Sequence, residues 1–548
     1  MARLDCVVIG YNDTPFEQYE ALLRQYGEDT EAYRDLKMSF VDVGGRKLTF
    51  TGLLNLAFNR AHGLSEARLD GPFKSGDIPN LAAAYLTHYL RRRGFAVESI
   101  NLFQDEKARF ADILAERPRA VAITTTFYVI NFPVLEMVRF IREHAPETKI
   151  VLGGPLVSNH ARNYAPEDLG VALDDLGADL YVHDSQGEET LARLLAALRD
   201  GDDGTRVSNV IYKGADGRYV HTPHQPENTD LNTEAIDWTR LADLGLGPTL
   251  QTRTARSCAF SCAFCNYPTR AGKLTLAGLD SIARELDSMH ALGARQVVFI
   301  DDTFNVPLPR FKDICRLMID RGYGFNWYSY FRCSNSDDEA FDLMAESGCK
   351  GVFLGIESGS PRILKNMAKA ATIEKYSHGI RRLRERGVTT FGSFILGFPG
   401  ETRETVEETA AFLRDNPMDY YRAQLWYNEP GTPIHEKREQ YGTQGDGFVW
   451  NHDSMDSLEA MEHIERLFLT LDGPTWLPQW SFDFWILPYF QGLGISLPQL
   501  RDQLRLAHKA LALEVADLSR EEHDGMQAQI LGEMVRNARS WNLEGVRS

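Results

Sequence analysis

Arg256–Pro268 read RSCAFSCAFCNYP, and the spacing of the three cysteines in this stretch decides how the rest of the chain is read. Cys258, Cys262 and Cys265 follow a Cys-x3-Cys-x2-Cys pattern on one short loop, directly after a candidate strand at Thr249–Thr254. Three thiolates so placed can hold three irons of a four-iron cluster. The fourth iron then keeps an open position for an external molecule, as catalytic metal sites do. The competing reading is structural zinc, which wants four protein ligands. No histidine lies in the loop, and Cys6, Cys315, Cys333 and Cys349 are each isolated. Seven cysteines among 548 residues are too few for a disulfide scaffold.

Downstream of the loop, strand and helix signals alternate. Candidate strands lie at Gln296–Asp301, Asn326–Arg332, Gly351–Ile356, Thr389–Gly397 and Tyr420–Tyr427. Helical periodicity fills the gaps at Leu279–Leu292, Leu308–Arg321 and Thr372–Arg386. With the first strand these make six strand–helix units, a partial (β/α)6 barrel over residues 248–435, in which chemistry belongs at the strand C-termini. VVFIDDTFN (Val297–Asn305), LGIESGS (Leu354–Ser360) and FILGFPGET (Phe394–Thr402) put polar or glycine residues at such ends. Residues 436–548 read as a helical, aromatic-rich C-terminal region carrying Trp450, Trp476, Trp480 and Trp485.

Upstream, short apolar runs at Leu4–Gly10, Ala120–Thr125, Ile150–Gly154 and Ala178–Val182 suit strands buried on both faces of a parallel sheet. Helical patterns at Asn80–Arg93, Phe132–His144 and Glu188–Leu198 separate them. The fold class is α/β: an N-terminal doubly wound, Rossmann-like domain over residues 1–205, then a connector over 206–247 and the barrel. Residues 11–75 interrupt the first domain as an insertion, with a hairpin at Ser39–Phe50 turning at Gly44-Gly45.

The bulk numbers exclude some functions. The net charge of −18 argues against a nucleic-acid or anionic-membrane partner. No run of 18 apolar residues spans a membrane and no leader pattern opens the chain, so a cytoplasmic enzyme is expected.

The cysteine motif after a barrel's first strand, with aromatic Phe264 before the last cysteine, resembles the radical S-adenosylmethionine superfamily. The strand-end segments are similar to its cobalamin-associated branch. The resemblance implies that Cys258, Cys262 and Cys265 hold a 4Fe-4S cluster whose open iron binds S-adenosylmethionine. It makes Glu357, Ser358, Asp301 and Asp302 candidate contacts for that ligand, against the plainer reading of the acidic residues as helix N-caps in βα loops. Arg332 is a candidate to pair with the ligand's carboxylate, which a guanidinium matches bidentately. Tyr328, Tyr330 and Tyr427 are candidates for the substrate cavity, against the plainer reading of aromatics as sheet core.

The front domain resembles the cobalamin-binding domain of the same branch. Its candidate cofactor loops are Gly153-Gly154-Pro155 and Asp184–Glu188, with Gly187 and Glu188 closing the second. Thr124, Thr125, Thr126 and Phe127 end the middle strand and are candidates to line the corrin ring. The Asp-x-His-x-x-Gly signature for a cobalt-ligating histidine is absent; the nearest string, Asp287–His290, has the wrong spacing. Arg68 is a candidate to shield the lower face of cobalt, against the plainer reading of a surface arginine.

Tyr11–Glu20 and the following insertion resemble a smaller group that includes thiopeptide tryptophan C-methyltransferases and phosphinate P-methyltransferases. The function so implied is methyl transfer from S-adenosylmethionine via methylcobalamin to an indole-like carbon or a phosphorus centre in natural-product (antibiotic) biosynthesis. A flavodoxin- or ferredoxin-type donor would supply electrons. The alternatives are a cobalamin-dependent cyclase or ring-rearranging enzyme, and a non-enzymatic metal-binding interaction protein. A tRNA methylthiotransferase is disfavoured, since Cys6 stands alone where a second cysteine trio would be needed.

Overall fold

The computed structural model describes residues 3–13, 15–65, 71–126, 128, 130–478, 485–516 and 518–543. Arg68, Phe127 and Trp480 lie outside the described residues. The chain divides into two compact units. The first is Met1–Thr14, Gly76–Gln251 and Thr269–Gly293; the second is Pro15–Ser75, Thr252–Pro268 and Ala294–Ser548.

In the first unit, five strands pair in parallel in the order Val97–Leu102, Cys6–Tyr11, Ala120–Thr124, Lys149–Gly153 and Leu180–Val182. In chain order this is 2-1-3-4-5, the flavodoxin-like doubly wound topology. Val7, Ile9, Val121, Ile123, Ile150 and Leu152 are buried in its core, as a sheet covered on both faces requires. Asn80 caps the helix Leu81–Arg92, its Oδ1 accepting from Ala83 N at 2.9 Å. The sequence reading missed Val97–Leu102, whose VESINL mixes polar residues into the strand. It also read residues 206–247 as connector, whereas Val210–Lys213 and Tyr219–His221 extend the sheet as an antiparallel edge. Only Val210 and Ile211 are buried in these two short strands, so their apolar signal is weak.

In the second unit, the main sheet runs in chain order through Thr249–Thr252, Gln296–Phe299, Asn326–Phe331, Cys349–Glu357, Thr389–Leu396, Tyr420–Leu425 and the short Thr475–Trp476. The six expected strands are present, and Thr475–Trp476 adds a seventh parallel to the sixth. One face carries Phe331 and Phe394, which meet Phe311, Phe341 and Phe412 of the surrounding helices. The opposite face is therefore the barrel interior.

Residues 15–75 interrupt the chain of the first unit, between Thr14 and Gly76, and belong to the second. Arg34 donates to Glu465 through two bonds of 2.9 and 2.6 Å, Ser457 Oγ donates to Glu31 at 2.7 Å, and Trp476 Nε1 donates to Met38 O at 3.1 Å. The hairpin forms at Phe40–Val43 and Arg46–Thr49, with φ of 61° and 82° at Gly44 and Gly45. Both values are positive, as a type I′ turn requires. No helix among the described residues is long and apolar enough to cross a membrane.

One glycine can be tested for stability. Gly154 has φ +115°, and a Cβ there would stand 2.8 Å from Thr125 Oγ1. Gly154→Ala is expected to cost about 1–3 kcal/mol, read from thermal or urea unfolding of the intact chain. An unchanged midpoint would contradict this geometry.

Candidate active site

Arg256–Pro268 leaves the first barrel strand with Ser257 at φ +71°, a sharp turn for a residue with a side chain. Two groups of Ala263 then fix the loop. Its N–H donates to Met367 O at 2.8 Å, and its carbonyl accepts from Ile434 N at 2.9 Å. Cys265 N donates to Cys262 O at 3.1 Å, and Cys258 Sγ lies 3.6 Å from Thr303 Oγ1. All three cysteines are free. Burial pushes the Cys265 thiol up to about 11, and the charges of Cys262, Asp302 and Cys258 add to the effect. Bound iron reverses that preference by stabilising the thiolate.

The donor set fits a four-iron cluster. Three thiols share one pinned loop, and Arg332 contributes a buried guanidinium beside it. Among the described residues no group of three or more His, Cys, Asp or Glu is gathered closely enough for a metal ion. Thiolates on separate corners of one cluster stand further apart than ligands around a single ion.

Arg332 ends the third strand at 7% exposure, with its guanidinium 3.7 Å from the centroid of the Phe260 ring. Its backbone is held by Asn305, which accepts from Arg332 N at 3.0 Å and donates to its carbonyl at 2.9 Å. Its Nη2 is buried without a hydrogen-bond partner among the described residues. A cation so placed favours an incoming carboxylate, which its planar fork matches.

Glu357 ends the fourth strand at φ +70° and is buried. Its Oε1 accepts from Lys369 Nζ at 2.9 Å, and Nζ lies 5.4 Å from the centroid of Phe264, between Cys262 and Cys265. A Cβ at Gly355 would meet Glu357 Oε1 at 2.6 Å, so the missing side chain makes room for this pair. Lys369 was not singled out from sequence; MAKAAT carries no motif, and only the fold brings it under the cysteine loop. Ser358 is fully buried and engaged inward: its Oγ accepts from Ser360 N at 3.1 Å and meets Thr409 Oγ1 at 3.3 Å.

Asp301 is buried and supports the start of the loop, accepting from Thr254 N at 2.8 Å and Thr254 Oγ1 at 3.2 Å. Burial pushes its carboxyl up to about 6. Asp302 is exposed, and its carbonyl accepts from Thr303 Oγ1 at 2.7 Å. Glu401, also not singled out, is buried in the FPGET turn. Its Oε2 accepts from Gly397 N, its Oε1 has no partner, and burial pushes it up to about 8.

Of the tyrosines, Tyr328 is buried and its hydroxyl bonds Gln491 of the helix Ile486–Gly492. Tyr330 is half-buried, edge-on to Phe353 at 5.0 Å and to Trp485 at 5.2 Å. Tyr427 is 44% exposed.

In the first unit the candidate cofactor residues gather at the strand C-termini. Thr125 N and Oγ1 both donate to Gly153 O at 3.0 Å. Thr124 Oγ1 donates to Ile9 O at 3.2 Å, and Thr126 is exposed. Gly153 has no positive φ, and a Cβ there would meet only Val182, no nearer than 3.4 Å. Packing does not demand glycine at this position; close approach by a flat ligand would. The edge therefore fits a corrin ring at a doubly wound sheet's ligand side. Gly187 has φ +85° and a Cβ there would press on Val182. Glu188 is buried and accepts from Tyr85 OH at 3.0 Å.

The Radical SAM superfamily model matches residues 252–413, and the B12 binding domain model matches residues 75–178. An uncharacterized methyltransferase of Pyrococcus horikoshii is 28% identical over 65% of this chain and 78% of its own length. An anaerobic magnesium-protoporphyrin IX monomethyl ester cyclase of Rubrivivax gelatinosus is 26% identical over 72% of this chain and 73% of its own. Among solved structures, the radical S-adenosylmethionine methyltransferase TsrM from Kitasatospora setae superposes with TM-score 0.55 at 23% identity, covering 66% of this chain and 72% of that one. The cobalamin-dependent S-adenosylmethionine radical enzyme OxsB superposes with TM-score 0.56 at 14% identity, covering 85% and 82%.

The chain thus carries a radical SAM domain over residues 252–413 and a B12-binding domain over residues 75–178. Its cofactors are a 4Fe-4S cluster, S-adenosylmethionine and cobalamin.

Two outcomes test the site's electrostatics. Lys369→Met strands a buried carboxylate and is expected to cost about 3–5 kcal/mol in unfolding free energy, with Lys369→Arg recovering part of the loss. Glu401 binds its proton more tightly folded than unfolded, so its contribution to stability is full below about 4.5 and lost as pH rises through about 8. Glu401→Gln is expected to flatten the fall in melting temperature across that window; an unaltered pH profile would count against the assignment.

Proposed function

We propose that this enzyme transfers a methyl group from S-adenosylmethionine, with cobalamin as carrier, to a carbon or phosphorus centre of a small molecule. One observation carries the reading: a pinned loop of three free cysteines sits in a chain that also holds a B12-binding domain. The TsrM structure with tryptophan substrate bound supports a small aromatic acceptor, and the aromatic wall of Tyr330, Phe353 and Trp485 is suited to one.

When bound, S-adenosylmethionine supplies the methyl group, cobalamin carries it, and the cluster supplies an electron. The protein's own residues do the holding. Cys258, Cys262 and Cys265 ligate three irons. Arg332 receives the carboxylate of S-adenosylmethionine, its ring-stacked guanidinium already in position. Glu357 accepts from the ligand's amino group, and Lys369 holds the Glu357 carboxylate in place through its 2.9 Å bond. Asp301 fixes Thr254 at the base of the loop. Thr125, Thr126, Gly153 and Gly154 form the edge that receives the corrin. The enzyme works in the cytoplasm, with an external one-electron donor.

The cyclase relative favours a second reading, in which the product gains no methyl group. Product mass separates the two. Anaerobically reconstituted protein with methyl-labelled S-adenosylmethionine, cobalamin, a reductant and either tryptophan or a phosphinate should yield labelled product. Cys262→Ala should lose the brown chromophore and bring methyl transfer below detection while keeping cobalamin absorbance. Full turnover in that variant would overturn the assignment.

A further inference from the structure

Arg422 lies in the sixth barrel strand at 4% exposure. Its Nε and Nη1 are buried and have no hydrogen-bond partner among the described residues. Its Nη2 stands 3.4 Å from both carboxylate oxygens of Asp35, longer than a normal charge-assisted bond. The Trp476 ring centroid is 5.8 Å from the guanidinium carbon. A structural ion pair would be expected to satisfy more than one nitrogen, because a partnerless buried charge is destabilising.

Strand register sets its direction. Arg422 pairs with Ser393, and Ser393 pairs with Gly355. Two residues back, Tyr420, Phe391, Phe353 and Tyr330 form one row across the same strands. Side chains alternate with period two, so Arg422 shares the face of Tyr330 and Phe353, opposite the helix-facing Phe331 and Phe394. Gly355 is where Glu357 and Lys369 meet. Two strand spacings put Arg422 about 10 Å from that position, on the interior side.

We propose that Arg422 is a binding residue for an oxyanion of the substrate, a carboxylate or a phosphinate, whose apolar body lies over Tyr330 and Phe353. This rests on the small-molecule reading above and names the substrate class: a small acid with an aromatic or apolar body. Asp35 occupies the guanidinium loosely when no acid is bound and yields Nη2 to one.

Isothermal titration of reconstituted holoenzyme tests this without turnover. The probes are indole-3-acetate against its neutral amide, and methylphenylphosphinate against its neutral methyl ester. At least one acid should bind tenfold or more tightly than its neutral counterpart. Arg422→Gln should remove about ten- to a hundredfold of that affinity. Asp35→Asn should hold or strengthen it. The carboxylate and phosphinate arms identify which acid the site takes. If Arg422→Gln fails to retain the cluster and cobalamin spectra, Arg422→Lys, which keeps the charge but not the fork, should weaken acid binding with those spectra intact. The proposal is overturned if neither acid outbinds its neutral form, if a folded Arg422 variant binds the acid as wild type does, or if Asp35→Asn loses as much affinity as Arg422→Gln. Acid binding without methylated product would keep this site and reject methyl transfer.

Discussion

The catalytic end of the barrel depends on two backbone hydrogen bonds made by one small residue. Ala263 sits between the second and third cysteines, is 3% exposed, and bonds to Met367 on one side and Ile434 on the other. Met367 ends the helix Pro361–Asn366 that follows the fourth strand, and Ile434 follows the sixth. A short loop with a residue at positive φ has few bonds of its own, and buried backbone groups must be paired somewhere. Here they pair with segments from two distant strand ends. The cysteine geometry is thus set by the whole barrel rather than by the loop sequence.

Around that loop the barrel mouth concentrates charge away from water. Glu357 and Lys369 neutralise one another, Asp301 bonds the loop's first residues, and Arg332 rests on Phe260. Desolvation penalises each charge, and the pairings offset only part of that. The arrangement is stable because a strained residue, Glu357, and a glycine that leaves room for it, Gly355, come from a strand buried on both sides. Cations with unused donors in such a place prefer anionic ligands. The site is accordingly pre-organised for carboxylates before any ligand arrives.

Much of this was legible in sequence, for physical reasons. Fully buried strands read as continuous apolar runs, so the parallel strands of both units were found to within a few residues, Val97–Leu102 and the short Thr475–Trp476 excepted. The cysteine spacing is a chemical requirement and survives any packing. What stayed hidden depends on contacts between distant segments. Lys369 and Glu401 carry no motif and gain meaning only from what the fold sets beside them. The antiparallel edge Val210–Lys213 and Tyr219–His221 is short and buries only Val210 and Ile211, so its pattern is weak. Ser358 reads in sequence as a ligand contact at a strand end; in the fold its hydroxyl meets Thr409 and accepts from Ser360 N.

Several side chains set against the inner wall lie outside the stretch that the superfamily model matches. The superfamily match covers residues 252–413 and stops before the sixth strand. Arg422 lies beyond it, and so do Trp485, beside Tyr330, and Gln491, which bonds Tyr328. Asp35 comes from the segment before the barrel. The matched strands carry the cluster loop and the Glu357–Lys369 pair. The later strand, the C-terminal helices and residues 15–75 supply the side chains that meet the inner wall. The cysteine loop and the far side of the inner wall are therefore built by different stretches of the same unit, so on the proposed function a change of acceptor would fall on the second and leave the first in place.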